Sequence, residues 1–243
     1  MASKKDDRSP LIWTRIGQSS RGRQPSLTHQ QIAEAAVKIA DEGGLDAVSM
    51  RKVARALDVG TMSLYRYVGS RDDLIDLMND CVMAELLVEP FDASSWRMTL
   101  HDLAWALRRL YLRHEWTVES FGGRPALGPN STTLYEHALA AIDRPGMTID
   151  QLMDMLSTVW AFTHGVAHGE IIALQSQRVT GMGDLEWREA AAPLVLKMIE
   201  GEAHPYFRRI VIEAEDFPDP DVVFERRLGY VLDGLAVGLG LDG

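Results

Sequence analysis

Apolar residues recur along this chain at the spacing of amphipathic helices, and the clearest instance lies in its first third. Val53 and Leu57 stand four residues apart, as do Leu64 and Val68, with Val59 between the two pairs. This pattern predicts two short helices joined by a tight turn, with Val59 filling the corner. The outward positions of the second helix are polar, cationic or aromatic: Thr61, Ser63, Tyr65, Arg66 and Tyr67. The pattern is typical of a helix-turn-helix, whose second helix enters the major groove of DNA.

Capping signals on both sides of these two helices extend the prediction to a segment of four helices. Thr28 and Gln31 have the spacing of a capping box, and Gly43-Gly44 ends the helix that follows. Ser49 is placed to cap the first helix of the pair. Ser70 is placed to cap a fourth helix, which the apolar stripe predicts from Arg71 to about residue 87. The segment is therefore expected to form a three-helix head with a fourth helix leading away.

From about Thr28 to Leu87 the chain resembles the TetR family of bacterial one-component regulators. The matching residues are Ala54, Leu57, Val59, Ser63, Leu64, Tyr65, Tyr67, Val68 and Arg71. Valine after the Tyr-x-Tyr element is similar to the tetracycline-repressor branch. Four positions depart from the family pattern. Tyr67 for the common histidine and Arg71 for the common lysine keep a hydrogen-bond donor, while Asp58 replaces a turn glycine and Gly60 replaces a common serine cap. Aspartate tolerates a left-handed backbone and glycine is an acceptable N-cap, so both changes suit the motif.

The resemblance implies which side chains face DNA. It places Arg51, Thr61, Met62 and Ser63 at base edges, where arginine favours guanine and methionine can touch a thymine methyl. The residues expected to contact phosphates or to position the head are these: Ser49, Lys52, Tyr65, Arg66, Tyr67 and Arg71. A solvated polar helix face is the alternative, but it does not account for two outward tyrosines beside an arginine.

The rest of the chain also carries helical patterns, and no alternating strand segment is evident. Helices are predicted at residues 96–114, 130–142, 148–176, 185–200, 203–214 and 221–239, with loops at 121–129 and 177–184. Asn130 is expected to cap the second of them. The predicted fold is all-α with about ten helices, a helix-turn-helix domain followed by a larger helical domain.

Two of the long predicted helices contain paired glycines, at Gly165 and Gly169 and at Gly234 and Gly238. Glycine inside a helix costs roughly 1 kcal/mol relative to alanine, so close backbone approach is expected at these positions. The resemblance implies that the late helices build the four-helix bundle of a homodimer. Tight packing within one subunit is the alternative. A homodimer on a palindromic site is also expected because one recognition helix contacts only a few base pairs, so specific binding needs two heads.

The distribution of charge agrees with a DNA partner although the whole chain is acidic. The formal net charge is −10, but residues 1–71 hold 12 Lys and Arg against 7 Asp and Glu. A basic head on an acidic body orients the molecule towards phosphate. No apolar run of about 18 residues and no apolar leader core are evident, so no membrane span or secretion signal is expected. The lone Cys81 suits a reducing cytoplasm and a buried structural thiol.

These observations divide the chain into three parts. Residues 1–24 are expected to be a flexible basic arm, 25–71 the DNA-binding domain, and 72–243 an effector-binding and dimerisation domain with a connecting helix at 72–87. Arg21 and Arg23 precede the head and could reach the minor groove. A disordered basic tail is the equally open alternative for them.

The larger domain is rich in aromatic and imidazole side chains, which line pockets for small, largely apolar or aromatic molecules. The candidate ligand-binding residues are His101, Trp105, Arg108, Phe121, Trp160, His164 and His168. Ordinary core packing is the alternative for each of them. His164 and His168 have the spacing of a helical metal pair, but no third ligand is evident, so neither a metal nor another cofactor is expected.

Together these features predict a cytoplasmic, homodimeric DNA-binding regulator, most simply a repressor that a small effector releases from a palindromic operator. A DNA-binding or interaction protein without an effector remains the alternative. An enzyme is not expected, because the sequence holds no nucleophile elbow, phosphate-binding glycine loop or metal triad.

Overall fold

The protein is described by a computed structural model covering residues 11–16, 27–88, 90–121, 127–200, 203–214 and 218–241. The helices are α1 (Trp13–Ile16), α2 (His29–Gly43), α3 (Met50–Ala56), α4 (Thr61–Leu64), α5 (Arg71–Met83), α6 (Trp96–Arg113), α7 (Thr117–Ser120), α8 (Pro129–Ile142), α9 (Ile149–Thr180), α10 (Asp184–Ile199), α11 (Pro205–Glu213) and α12 (Pro220–Leu239). These described ranges contain no strand, which confirms the all-α prediction, with twelve helices where about ten are predicted.

The head forms as its local signals predict. The Thr28 hydroxyl accepts the Gln31 N–H while the Gln31 side chain returns to the Thr28 backbone, and Gly44 ends α2 at a φ of 75°. Asp58 adopts a φ of 51° in the turn between α3 and α4, the left-handed conformation that aspartate tolerates. Regular α-helix in α4 spans four residues and continues as a turn to Val68, so the second helix is shorter than the pattern indicates.

The described part of the predicted N-terminal arm is ordered against the head. Ile12 is fully buried, and an Arg15 guanidinium nitrogen lies 2.5 Å from a carboxylate oxygen of Asp73 on α5. The prediction of a flexible arm is therefore wrong for residues 11–16, because a short apolar segment docks there and an ion pair holds it. Arg21 and Arg23 lie outside the described residues.

The core of the larger domain forms around α6, which packs against α8, α9 and α12. Its buried stripe, Leu100, Leu103 and Leu107, supplies much of the interface, as the sequence pattern predicts. Helix α5 extends from the head into this domain, where a 3-10 turn at Ala84–Leu87 continues it. Burial raises the pKa of the Cys81 thiol on this helix to about 11, helped by the nearby carboxylates of Glu34, Asp80 and Glu85.

A buried carboxylate joins α5 to the start of α8. Asp80 accepts hydrogen bonds from the backbone and side chain of Ser131, at 2.9 and 3.0 Å, and from Asn130. Gly128 precedes α8 so closely that a Cβ there would come within 2.1 Å of the Asp80 carboxylate. Asp80 thus provides the cap expected of Asn130, which instead lies within the first turn of α8.

The late helices differ from the prediction in length and packing. Helix α9 continues to Thr180 and ends at the left-handed Gly181, so most of the predicted 177–184 loop is helical. Helices α10 and α11 bury none of their residues. Their large exposed apolar side chains are Leu185, Trp187, Leu194, Leu196, Met198, Tyr206, Phe207, Ile210 and Ile212. No helix within the described ranges is long and apolar enough to cross a membrane.

A buried histidine connects the head to the larger domain. His114, at the end of α6, places Nδ1 2.7 Å from the Asp41 carboxylate on α2 and Nε2 2.9 Å from that of Glu85. The Trp116 indole also donates to Asp41, at 2.8 Å. Both ring nitrogens therefore lie within hydrogen-bonding distance of carboxylates from two different helical segments. We call His114, Asp41, Glu85 and Trp116 the junction cluster.

Replacing His114 with alanine should lower the free energy of unfolding by about 2 kcal/mol, because two carboxylates then lose a buried hydrogen-bonding partner. Chemical denaturation followed by circular dichroism measures this change. The matched control is Arg178→Ala, which removes an ion pair with Glu115 at the surface and should barely move the midpoint. Equal midpoints for the two variants would contradict the role of the junction cluster.

Candidate DNA-binding surface and effector cavity

The polar face of α3 and α4 carries exposed side chains suited to a DNA groove. Met62 is 78% exposed at the start of α4, and Arg51, Lys52 and Arg66 are also exposed. Thr61 and Ser63 are half-buried beside Met62. No other described group hydrogen-bonds the guanidinium groups of Arg51 and Arg66. Both are therefore available to an external acceptor.

Other predicted DNA-facing residues already have structural contacts. The Arg71 guanidinium donates to the Leu45 carbonyl at 2.9 Å, which ties the start of α5 to the segment before α3. Tyr67 packs edge-on against His29, with ring centroids 5.8 Å apart. The Ser49 hydroxyl accepts the backbone N–H of Lys52 as the N-cap of α3. Tyr65 is 45% exposed at the end of α4. All ten residues predicted to face DNA thus lie in the head. Some present exposed side chains, and the others make contacts within the head.

A cavity of about 1000 Å³ lies between α5, α8 and α9. Its lining residues are Leu11, Trp13, Asp72, Asp76, Asn79, Asp80, Met83, Ser120, Phe121, Leu127, Gly128, Ser131, Leu134, Tyr135, Met153, Leu156, Ser157, Trp160, Ala161 and His164. The volume suits a small organic molecule. Five of the lining residues belong to α5, the helix that carries the head.

Aromatic rings form one side of the cavity. Tyr135 and Trp160 stack at 9° with centroids 6.3 Å apart, and Phe121 meets Trp160 edge-on. Phe121, Trp160 and His164 are among the predicted ligand-binding residues. Trp13 and Tyr135 were missed, although the tyrosine stands on the same predicted helix face as Leu134 and Ala138. A flat apolar ligand would find stacking surfaces here.

The acidic residues of the cavity come from successive turns of α5. Asp72, Asp76 and Asp80 stand four residues apart, and only the Asp80 carboxylate is occupied by hydrogen bonds from α8. Partial burial raises the pKa of the Asp76 carboxyl, and the neighbouring charges of Asp73 and Asp72 raise it further. Sequence reasoning missed this row, whose signal is the i, i+4, i+8 spacing.

Three predicted ligand-binding residues lie elsewhere, where they hold α12 against α6 and α9. The His101 ring and the Trp105 indole both contact the Glu225 carboxylate, at 3.0 and 2.8 Å. Arg108 makes a two-pronged pair with Glu170 at 2.9 and 3.0 Å and contacts Asp221 at 2.7 Å. The structure does not bring these three side chains into the cavity.

Charge pairing dominates the electrostatics of this contact with α12. Burial opposes the charge of His101, yet its hydrogen bonds with Asp102 and Glu225 outweigh that effect and raise its pKa. Burial also opposes the charge of Arg108, and the carboxylates of Glu170 and Asp221 again raise its pKa. Both side chains are therefore engaged in structural ion pairs.

The histidine pair of α9 does not assemble a metal site. His164 Nε2 lies 3.1 Å from the Val118 carbonyl oxygen, and the exposed His168 ring is 6.0 Å from the His164 ring. The described ranges contain no group of three His, Cys, Asp or Glu side chains placed to hold a metal ion. Of the two histidines, only His164 lines the cavity.

The paired glycines of α9 and α12 face open space within the subunit. Gly165, Gly169, Gly234 and Gly238 are exposed, and a Cβ built on any of them meets no atom within 4 Å. Close packing inside one subunit therefore does not explain them. Helices α9 and α12 pack against each other. The faces that carry these glycines are exposed, so they are available to a second molecule.

Family models match both parts of the chain. Residues 32–78 match the family described as bacterial regulatory proteins, tetR family, and residues 89–239 match the tetracyclin repressor-like C-terminal domain. The second match alone spans more than half of the chain, and the first contains the helix-turn-helix.

Individual relatives agree with these matches. The chain is 36% identical over 230 residues to the HTH-type transcriptional repressor DrrR1 of Streptomyces coeruleorubidus, covering 93% of this chain and 84% of that protein. Among solved structures, apo ActR from Streptomyces coelicolor superposes with a TM-score of 0.73 at 26% identity, covering 90% of this chain and 99% of ActR. ActR in complex with actinorhodin gives 0.72 at 28% identity, covering 89% and 100%.

Arg51→Ala should relax base preference, whereas Arg66→Ala should weaken binding to all sequences evenly and reduce the salt slope by about one unit. Arg66 tests phosphate contact more cleanly than Arg71, whose guanidinium also bonds Leu45. Titrations of specific and random duplexes at several salt concentrations measure both effects. Arg109→Ala, on the exposed face of α6, is the control. Identical losses for the Arg51 and Arg66 variants on both duplexes would refute the two roles.

Proposed function

Because the chain belongs to the TetR family of transcriptional regulators, we propose that it is a repressor that binds a palindromic operator as a homodimer. A small, largely apolar or aromatic effector in the cavity releases it from DNA. The observation that carries this proposal is the position of α5, which begins directly after the helix-turn-helix and also forms one wall of the cavity.

The shared helix supplies a route from ligand to DNA. A molecule bound against Asp76, Asn79 and Met83 contacts the helix on which the head is mounted. Release requires that the effector prefer a head geometry that does not fit the operator, because a ligand with equal affinity for both geometries shifts neither. The junction cluster is a second contact between the two domains, so a change of head geometry would also involve it.

The relatives support both parts of this proposal. DrrR1 is a transcriptional repressor, and ActR has been solved with actinorhodin and with (S)-DNPA. These proteins share most of their length with this chain. We extend to it repression and the binding of a small molecule in the C-terminal domain.

The exposed faces of α9 and α12 support a homodimer. Four interior glycines on these faces contact nothing within the subunit, although glycine weakens a helix. Exposed apolar residues flank them: Ile172, Leu174, Val222, Tyr230 and Val237. A second copy meeting this face would form a four-helix bundle and bury that surface.

The domain boundaries follow from the same proposal. Residues 25–71 bind DNA, 72–243 bind the effector and the second subunit, and 72–87 connect the two. A protein that reads DNA in a bacterium works in the cytoplasm. We therefore place its function there.

The proposal is tested on the promoter of the protein's own gene and on neighbouring promoters. Footprinting should show protection of a palindromic site, with two half-sites about one helical turn apart or a multiple of that distance. A compound that raises the melting temperature of the protein should abolish this protection. Absence of protection at all of these promoters, or protection that no stabilising compound relieves, would count against the proposal.

The dimer face is tested by Gly169→Leu. Because a side chain at this position meets open space in the subunit, the variant should keep its helical circular dichroism but sediment as a monomer in the micromolar range. Ala140→Leu, at an exposed position on α8, is the matched control and should remain a dimer. A dimeric Gly169→Leu protein would place the interface elsewhere.

A further inference from the structure

The wall that α5 gives to the cavity is acidic, and no described residue balances its charge. Asp72, Asp76 and Asp80 line the cavity, whereas no lysine or arginine is among the lining residues. Arg15 of α1 pairs with Asp73 on the same helix instead. The described side of the cavity therefore carries a net negative charge before any ligand binds.

The three aspartates differ in what they contact. Asp80 accepts four hydrogen bonds from Asn130 and Ser131 and is fully engaged. Asp72 is exposed, at the edge of the cavity. Asp76 lies between them, half-buried, and has no hydrogen-bond or ion-pair partner among the described groups. A partly desolvated carboxylate without a partner is unfavourable, and a bound cation would relieve it.

A second polar group next to the cavity also lacks a partner. Tyr111 is completely buried, and its hydroxyl makes no hydrogen bond to any described group. Its ring packs edge-on against Phe121 and His164, which line the cavity, at 5.9 and 5.5 Å. The hydroxyl lies towards Trp160 and Tyr135, both also lining residues. Buried hydroxyls are rarely left unpaired, but this one lies behind the rings that line the cavity and not at its surface.

The opposite side of the cavity is aromatic. Trp13, Phe121, Tyr135 and Trp160 present ring surfaces, which bind flat apolar rings and also attract positive charge. An anionic ligand would meet repulsion from Asp72 and Asp76. A neutral ligand would leave the Asp76 carboxylate without a counterion.

We propose that the effector is a flat aromatic molecule carrying a positively charged amine, which Asp76 binds while the rings stack against the aromatic side of the cavity. Asp76 lies on α5 and so places the charge contact on the helix that carries the head. This inference rests on the proposed function, because it names the chemical class of the molecule that the repressor senses.

The experiment uses the full-length protein without DNA and three acridines of nearly equal shape. The probes are 9-aminoacridine, a cation at pH 7.5, neutral acridine, and anionic acridine-9-carboxylate. Their dissociation constants are measured by isothermal titration calorimetry with the parent protein, Asp76→Asn and Glu189→Gln. Glu189 is exposed on α10 and has no part in the cavity, so its variant removes one negative charge elsewhere.

The parent protein should bind 9-aminoacridine about tenfold or more tightly than acridine, and acridine-9-carboxylate most weakly of the three. Asp76→Asn should remove this preference, weakening 9-aminoacridine about tenfold while leaving acridine unchanged. Retained acridine binding also shows that the variant is folded. Glu189→Gln should match the parent.

Three outcomes would overturn the inference. The first is equal affinity for the cationic and neutral probes, and the second is an equal effect of Asp76→Asn on both. The third is no binding of 9-aminoacridine below millimolar concentration. Since DNA is absent, these outcomes are independent of the operator footprint. A preference for the cationic probe without operator protection would support the cavity assignment and contradict repression. Operator protection without that preference would support repression and contradict the cavity assignment.

Discussion

The carboxylate of Asp80 is buried between α5 and α8 and accepts the free N–H groups at the start of α8. Unpaired buried donors and acceptors are costly, so this contact fixes where α8 begins relative to α5. Gly128 is required beside it, because a Cβ would occupy the space of the carboxylate. The cavity exists between these two helices and α9, so its width and the position of its acidic wall both depend on this one contact.

Helix α5 joins the cavity to the head, and few contacts other than those of α5 link the two. At its start, Arg71 bonds the Leu45 carbonyl and Asp73 pairs with Arg15, while the junction cluster joins α2 to the end of α6. These polar contacts accompany an apolar one, since α5 packs against α2 and buries Leu74, Leu77 and Met78 in the hydrophobic core. Polar contacts have defined geometries, which would suit the change of head geometry proposed for release from DNA.

Local signals in the sequence were sufficient to predict the helices. They were not sufficient to predict which side chains face the cavity. The capping box at Thr28 and the left-handed Asp58 depend on neighbours within a few residues, and both could be predicted. Phe121, Trp160 and His164 could be proposed for a cavity by residue type alone. The roles of His101, Trp105 and Arg108 could not, because their partners on α9 and α12 lie 62 to 124 residues away. The docked Ile12 and the position of Asp76, which has no partner among the described residues, likewise depend on tertiary packing that no local pattern encodes.

Helices α10 and α11 bury no residue in the isolated subunit yet expose a tryptophan and several branched aliphatic side chains. Apolar surface on this scale is seldom left in water. If self-association covers it, part of the folding free energy of each chain belongs to the assembled pair. Thermal resistance then becomes a function of how many copies a cell contains, by mass action.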